Sequence, residues 1–159
     1  METSLQIDDR EKKIIQHFNG MKSTRGVKQK YNVVRLSIGD YHIYQNNQCI
    51  CIIERKTWKD LSGSIKDGRC FNHETMIQQC RNNGIYLIYI IEGKQMFWNS
   101  HCVGRISIHD LKNYLLSLSI EQNTTVLYSI NEEQTVDLLM RLCQYYNKPL
   151  QRKQWTLTN

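Results

Sequence analysis

The sequence predicts an α/β fold with a central mixed sheet flanked by helices. Segments with strand and helix character alternate along the 159 residues, which is typical of a domain built from both kinds of element. The continuous apolar run at residues 85–91 has the pattern of a strand that helices cover on both faces. Asn46 and Asn47 form a good hairpin turn between two shorter strand-like segments. The hairpin supplies an antiparallel pair, so we expect the sheet to be mixed.

The first half of the chain is predicted to contain four strands and one helix. Alternating or β-branched runs mark the strands, and Ile14, Ile15 and Phe18 share the apolar side of the helix. Two glycines among several cations after that helix indicate a flexible basic loop. In chain order, these elements are a strand at 5–8, the helix at 10–18, the loop at 20–30, and strands at 31–38, 41–44 and 49–53.

Helices dominate the second half of the chain. Thr57 and Asp60 have the order of a capping box, so a helix is expected to begin there. Asn131 is expected to cap the last helix in a similar way. In chain order, the remaining elements are a helix at 71–81, the strand at 85–91, a helix at 107–121, a strand at 124–130 and the last helix, which ends near residue 146.

The composition favours a single domain with a polyanionic partner. An apolar content of 40% is enough for an ordinary core, and we expect one domain at 1–148 followed by a tail at 149–159. Lysine and arginine number 21 against 15 acids, which gives a net charge of +6. No apolar stretch approaches the ~18 residues of a membrane span, and the polar start does not resemble a secretory signal. We therefore expect an intracellular protein without a membrane partner.

The six cysteines are better explained as reduced thiols than as a disulfide framework. No pair has CxxC spacing, and the chain does not look secreted. His101 next to Cys102 lacks the further ligands, at the usual spacings, that a tetrahedral zinc site needs. We predict no zinc site.

Two short motifs place carboxylates near the ends of neighbouring predicted strands. Asp40 follows Gly39 directly before one strand, and Glu54 with Lys56 ends the next strand along the chain. Carboxylates in this position can hold a divalent cation, and the lysine adds a positive charge beside a bound phosphate. The pattern predicts metal-dependent phosphodiester chemistry.

Four cations in the predicted basic loop are candidates for contact with a phosphate backbone. They are Lys22, Arg25, Lys28 and Lys30. Electrostatic contact with nucleic acid requires little geometric precision. A merely solvated loop explains the same residues equally well.

Four elements, in order, carry a resemblance to a known family. They are Ile7-Asp8-Asp9-Arg10-Glu11, Gly39-Asp40-Tyr41, Ile53 through Leu61 with Glu54-Arg55-Lys56 and Asp60, and Ser64-Ile65-Lys66-Asp67-Gly68-Arg69. The chain resembles the nuclease domain of the XPF family of structure-selective endonucleases, whose signature is GDx(n)ERKx(3)D. Every fixed position of that signature is matched here.

This resemblance implies a restriction-nuclease-like fold and Mg²⁺- or Mn²⁺-dependent cleavage of DNA at branched, flap or fork structures. By matching position, Asp40 and Glu54 would bind the metal, and Asp8 and Glu11 would complete the acidic wall. Lys56 would lie beside the attacking water and the phosphate, either as a base or as a stabiliser of negative charge.

Several other positions keep two interpretations. Arg55 and Arg69 would contact phosphate or form buried pairs. Arg10 would orient the acids or touch the substrate. Asp60 would cap its helix and would also support the site through a neighbouring cation.

The late helices carry more apolar surface than packing on one sheet requires. Leu116 and Ile120 add a second stripe to the first of them, and Leu138, Leu142 and Tyr145 widen the face of the last helix. Together with the resemblance, this surplus predicts a homodimer or heterodimer formed through the late helices. Burial inside a monomer is the alternative.

The chain also departs from the family. The tandem helix-hairpin-helix module that follows the nuclease domain in many members is not expected here. Where relatives often carry glutamine after the Gly-Arg element, this chain has Phe71-Asn72-His73-Glu74, which makes His73 and Glu74 candidates for the rim of the site.

Two other functions remain open. One is a non-catalytic DNA-binding or scaffold subunit of a nuclease dimer, although Asp40, Glu54 and Lys56 are retained. The other is a metal-dependent phosphodiesterase that acts on cyclic dinucleotides or single strands. For a DNA nuclease we expect the nucleus or, if the chain is viral, the host cytoplasm or nucleus.

Overall fold

A six-stranded mixed sheet forms the centre of the protein. The computed structural model describes residues 3–25, 30–67, 70–94 and 102–147, with the backbone alone for 21–25 and 70–72. The predicted tail at 149–159 lies outside the described residues. The elements in chain order are β1 (Thr3–Asp8), α1 (Lys12–Arg25), β2 (Tyr31–Val34), β3 (Tyr41–Gln45), β4 (Gln48–Thr57), α2 (Trp58–Lys66), α3 (Cys70–Asn82), β5 (Tyr86–Glu92), β6 (Cys102–Val103), β7 (Ile106–Ser107), α4 (Ile108–Ile120), β8 (Thr125–Ser129) and α5 (Glu132–Asn147).

The sheet contains both strand directions, as predicted. Its order is β2-β1-β3-β4-β5-β8. β3 pairs antiparallel with both β1 and β4, whereas the other three neighbouring pairs are parallel. Asn46 and Asn47 turn the β3–β4 hairpin with φ of 51° and 64°, the positive values that a two-residue hairpin turn requires. The predicted fold class and its antiparallel hairpin are confirmed.

Helices cover both faces of the sheet and divide the core into two clusters. On one face, Ile53 of β4 belongs to the cluster that includes α1 and α5. On the other face, Ile52 belongs to the cluster that includes α2, α3 and α4. Because neighbouring residues of a strand point to opposite faces, β4 contributes alternately to the two clusters. The strand therefore presents Glu54 and Lys56 on the face of α2 and α3.

Polar side chains cap three of the helices at the positions predicted for their starts. The Thr57 hydroxyl accepts from the Asp60 N–H at 3.1 Å, and the Ser107 hydroxyl accepts from the Asp110 N–H at 3.0 Å. Asn131 caps α5 by accepting from the backbone N–H of Gln134 at 3.0 Å. Within the parts of the chain that the structure describes, no helix combines the length and apolarity that a membrane crossing demands.

The first helix is longer than the sequence pattern indicates. We predicted a helix at 10–18 and a basic loop at 20–30, but α1 continues to Arg25, so the loop prediction is wrong for residues 20–25. Gly20 lies exposed in the helix, where it costs only about 1 kcal/mol relative to alanine. Phe18 and Tyr31, whose ring centroids are 5.1 Å apart, anchor α1 against β2.

The second strand is shorter than predicted. β2 ends at Val34 rather than at residue 38 because side-chain contacts replace strand pairing beyond that point. The Leu36 N–H donates to the Asp8 carboxylate at 2.9 Å. The chain between Val34 and Asp40 therefore turns across the end of the sheet. This turn brings Asp40 next to the end of β4.

A small hairpin of β6 and β7 was not predicted. Its two strands contain only two residues each, too few for an alternating pattern to be visible in the sequence. The Ser62 hydroxyl donates to the Val103 carbonyl at 2.6 Å, which ties the hairpin to α2.

Candidate active site

Gly39 allows the chain to pass close to β4 directly before Asp40. Its φ is +64°, and a Cβ at this position would lie 2.6 Å from Cγ2 of Ile52 and 3.2 Å from the carbonyl oxygen of Ile53. A side chain here would therefore be strained by both the backbone conformation and the space. The close approach lets the Asp40 N–H donate to the Ile53 carbonyl at 2.9 Å. The Gly-Asp dipeptide thus places a carboxylate against the end of β4.

The Asp40 carboxylate is partly buried and only partly neutralised by its surroundings. Oδ2 accepts from the Arg55 N–H at 2.8 Å. Burial, followed by the negative charges of Glu54 and Glu11, raises the pKa of Asp40 to about 7, although the Arg55 N–H and the Lys56 ammonium act in the opposite direction. A bound cation would relieve this repulsion.

Glu54 and Lys56 lie on the same face of β4 and bind each other. The Lys56 Nζ donates to Oε1 of Glu54 at 2.9 Å, and both side chains are mostly buried, with exposures of 15% and 17%. Two residues apart on a strand is the spacing that brings two side chains to one face. The ion pair holds an ammonium group next to the carboxylates.

Asp40, Glu54 and Lys56 line one cavity of about 640 Å³, together with Arg10. This geometry is consistent with the prediction that Asp40 and Glu54 lie close together. Two acids and two cations form this charged wall. It combines groups that attract a metal ion with groups that attract a phosphate.

The described lining residues from α2 and α3 include no acid, lysine or arginine, and we call them the neutral wall. Its described residues are Ser64 of α2 and, in α3, His73, Thr75, Met76 and Gln79. Spacing of three residues places His73, Met76 and Gln79 on one side of the helix. That spacing was visible in the sequence, but nothing in the pattern indicated which strand α3 would cover. Of the two residues predicted for the rim of the site, His73 lies in this lining, whereas Glu74 is exposed outside the described lining.

His73 is held rigidly in this wall. Nδ1 lies 2.8 Å from the Tyr114 hydroxyl, and the imidazole lies 5.5 Å from the Tyr89 ring between centroids. Burial, helped by the Lys56 charge, lowers the pKa of His73 to about 4. The imidazole is therefore neutral near pH 7.

Both oxygens of the Asp8 carboxylate are already occupied by hydrogen bonds. Oδ1 accepts from the backbone N–H of Arg10 at 2.9 Å and from its Nε at 2.6 Å, and Oδ2 accepts from Arg10 Nη2 and the Leu36 N–H at 2.8 and 2.9 Å. The bonds from Arg10 hold the pKa of Asp8 far below its usual range, although burial acts in the opposite direction. These bonds use the oxygen lone pairs that a metal ion would need.

Arg55 and Glu11 belong to a polar network on the other face of the sheet. The Arg55 Nε donates to Oε2 of Glu92 at 2.9 Å, and its Nη1 donates to Oε2 of Glu11 at 3.2 Å. The Tyr41 hydroxyl also donates to Glu11, and the Thr135 hydroxyl donates to Glu92 at 2.6 Å. Of the two interpretations of Arg55, the structure supports buried pairing.

Of the remaining predicted residues, the structure describes the side chains of Asp60 and Lys30. Asp60 accepts from the Thr57 hydroxyl at 2.6 Å at the start of α2, and it lies outside the described lining of the cavity. Lys30 is exposed directly before β2. For Arg25 only the backbone, at the end of α1, is described, and Lys28 and Arg69 lie outside the described residues.

The donor set suits Mg²⁺ or Mn²⁺ better than a metal that needs a complete protein cage. Among the described residues, no cluster of three His, Cys, Asp or Glu side chains is arranged to hold a metal. Mg²⁺ ordinarily uses one or two carboxylates and keeps several waters. Asp40 and Glu54 meet that requirement. The five cysteines whose side chains are described, Cys49, Cys51, Cys80, Cys102 and Cys143, are free, and burial raises the pKa of the Cys51 thiol to about 12.

Comparisons with known proteins agree with the fold and the motifs. Residues 7–142 match the ERCC4 domain family. An ERCC4 domain-containing protein, EP364R, of African swine fever virus is 25% identical over 119 residues, which cover 74% of this chain and 32% of that protein. The chain thus spans about a third of the length of the curated relatives it matches.

Two solved structures share the fold. XPF from Aeropyrum pernix has a TM-score of 0.67 at 17% identity, over 92% of this chain and 66% of that one. XPF from the same organism in complex with DNA has a TM-score of 0.66 at 18% identity, over 99% of this chain and 68% of that one. The chain therefore belongs to the ERCC4 domain family and has the fold of an XPF-family nuclease domain.

Proposed function

We propose that this chain is a divalent-metal-dependent DNA endonuclease. The observation that supports it is the meeting of Asp40, Glu54 and Lys56 in one cavity. A divalent cation would offset the repulsion between the two carboxylates, and the adjacent ammonium can bind a phosphate oxygen. Family membership and the DNA complex of a related fold favour DNA as the substrate.

The side chains of the charged wall have distinct roles in this proposal. Asp40 and Glu54 would hold Mg²⁺ or Mn²⁺, which, when bound, polarises the phosphodiester and lowers the pKa of a water molecule. Lys56 is positioned by Glu54 and stabilises negative charge that develops on the phosphate. Arg10, whose side chain is 57% exposed, lines the cavity and offers donors to a neighbouring phosphate.

The substrate and assembly proposed here follow the family resemblance. We propose branched, flap or fork DNA as the substrate. Leu116 and Ile120 of α4 are 56% and 77% exposed, so this helix offers an apolar surface for a second nuclease-domain subunit. A nuclear location or, given the similarity to viral proteins, the host cytoplasm fits this function.

Cleavage of labelled fork, flap and duplex DNA in Mg²⁺ and Mn²⁺ tests the proposal. Asp40→Asn and Lys56→Ala should each reduce the cleavage rate at least about 10²-fold, as loss of a charge-stabilising group does. Both variants should remain folded by circular dichroism. Lys59→Ala, which removes an exposed lysine from the neighbouring helix, is the matched control and should cleave normally.

Other outcomes would replace the proposal. Binding of branched DNA without cleavage in either metal would favour the scaffold function. Preferential hydrolysis of cyclic dinucleotides or single strands would favour the phosphodiesterase function. Unchanged cleavage by Asp40→Asn would show that the cavity is not the active site.

A further inference from the structure

The neutral wall of the cavity contains a hydrogen-bonding group that the proposed chemistry does not yet use. His73 lies in the first turns of α3 and lines the same cavity as Asp40, Glu54 and Lys56. Its side chain is fixed on two sides, because the Tyr114 hydroxyl binds Nδ1 and the Tyr89 ring packs against the imidazole. These two contacts fix the orientation of the imidazole.

The surroundings keep this imidazole uncharged. The residue is only 4% exposed, and burial disfavours the imidazolium. The Lys56 ammonium acts in the same direction. The positive end of the α3 dipole also disfavours a cation near the start of the helix. His73 therefore differs from the cations of the charged wall, since it can donate a hydrogen bond without adding charge.

The bond to Tyr114 occupies Nδ1, so Nε2 is the ring nitrogen that remains for a contact within the cavity that His73 lines. A neutral imidazole carries its proton on one of the two nitrogens. The cavity contains the Asp40 and Glu54 carboxylates, and a bound phosphodiester would add further acceptors. Nε2–H is favoured beside so many acceptors, and the Tyr114 hydroxyl then donates to Nδ1.

We propose that His73 contacts the substrate, and that its Nε2–H donates to a non-bridging oxygen of the phosphodiester in the cavity. Tyr114 is the positioning residue that selects this tautomer. The inference rests on the proposed function, because it takes the cavity as the site of the phosphodiester. It adds a neutral contact to the charged groups of Asp40, Glu54 and Lys56 in the same cavity.

Two substitutions at His73 separate this contact from simple packing. His73→Gln keeps an N–H at nearly the position of Nε2 but loses the aromatic ring, whereas His73→Phe keeps the ring and loses the donor. With the donor role, His73→Phe lowers kcat/KM for DNA cleavage about ten- to a hundredfold, the effect of losing a hydrogen bond to a charged group. His73→Gln should stay within about threefold of wild type by the same measure.

The opposite ranking would overturn the inference. If His73→Phe cleaves normally and His73→Gln does not, the residue serves packing alone. His109→Phe, at an exposed position of α4, is the matched control and should leave kcat/KM unchanged.

Nitrogen NMR of the imidazole tests the tautomer without any cleavage. In wild type, the Nε2 signal should show an attached proton and should shift when a short DNA duplex is added. Tyr114→Phe should produce a mixture of tautomers. A lone pair on Nε2, or a signal that DNA does not shift, would overturn the inference. Failure of wild-type cleavage, by contrast, would reject only the proposed function.

Discussion

Two carboxylates at the same end of the sheet, Asp8 and Asp40, have opposite electrostatic properties. Asp8 is fully buried, yet four hydrogen bonds from Arg10 and Leu36 stabilise its charge and lower its pKa. Asp40 keeps some exposure and has one backbone donor, and burial together with the like charge of Glu54 raises its pKa to about 7.

The difference shows that burial alone does not identify a functional acid. Burial acts to raise the pKa of both carboxyl groups, and the donors and neighbouring charges decide the net direction. A saturated carboxylate such as Asp8 stabilises the fold, whereas an unsaturated one such as Asp40 costs stability and gains by binding a cation. The backbone links the two sites, because the Asp8 N–H donates to the Asp40 carbonyl at 2.9 Å.

The largest expected contrast is in metal binding. Asp40→Asn should weaken Mn²⁺ binding at least about 100-fold, because it removes a charged ligand from the site. Asp8→Asn should leave the Mn²⁺ affinity within a factor of about three, since the Asp8 oxygens are already occupied. Titration calorimetry of folded protein measures both. Equal losses in the two variants would mean that Asp8 is also a ligand.

The second contrast is in stability at neutral pH. Asp8→Asn should lower the free energy of unfolding by about 2–3 kcal/mol, because it weakens buried bonds to a charged group. The folded-state pKa of Asp8 is below its unfolded value, so its contribution is present above about pH 4 and is lost as the pH falls. Urea unfolding of wild type and variant at several pH values measures this dependence.

An exposed aspartate provides the control for that experiment. Asp137 forms an ion pair with Arg141 on the surface of α5, and the two side chains are 51% and 70% exposed. Asp137→Asn should change the free energy of unfolding by less than about 0.5 kcal/mol. A similar loss for Asp8→Asn would show that its bonds contribute no more than a surface pair.

The third contrast between the two carboxylates is a smaller change in stability, of the opposite sign. Without metal, Asp40→Asn should raise the free energy of unfolding by about 1–2 kcal/mol at pH 8. The folded-state pKa of Asp40 is above its unfolded value, so its favourable contribution is complete below about pH 4 and is lost as the pH rises through 7. Wild type and variant should therefore unfold alike near pH 4.

Thermal unfolding across this pH range, with EDTA present, measures the effect. Asparagine retains an acceptor for the Arg55 N–H, so the variant isolates the loss of charge. A variant less stable than wild type at pH 8 would contradict the raised pKa. Adding Mg²⁺ should stabilise wild type and leave Asp40→Asn unchanged, because only the native wild-type site binds the ion.

Much of the fold could be predicted from local sequence because its signals are local. A hairpin at Asn46 and Asn47 needs only two residues with positive φ, and the caps at Thr57 and Asn131 bond residues three positions away. The end of α1 could not be predicted in this way. Glycine at position 20 looks like a helix end, but tertiary packing of Phe18 and Tyr31 outweighs its propensity.

The candidate site also combines features that local sequence determines with features that depend on tertiary packing. The period of a strand determines that Glu54 and Lys56 share a face and that Arg55 points away, so the sequence by itself determined this pair. The reason for glycine at position 39 belongs to the tertiary structure instead, because the crowding there comes from Ile52 and Ile53 of β4.

Only the tertiary structure decided which charges are satisfied. Arg55 meets Glu11 and Glu92, which lie 44 and 37 residues away, and Asp8 meets Leu36 across 28 residues. His73 joins Glu54 and Lys56 in one cavity because α3 packs on the same face of the sheet as these side chains. These contacts form because the sheet brings together strands that are distant in sequence, and solvation and hydrogen bonding at each carboxylate depend on that assembly.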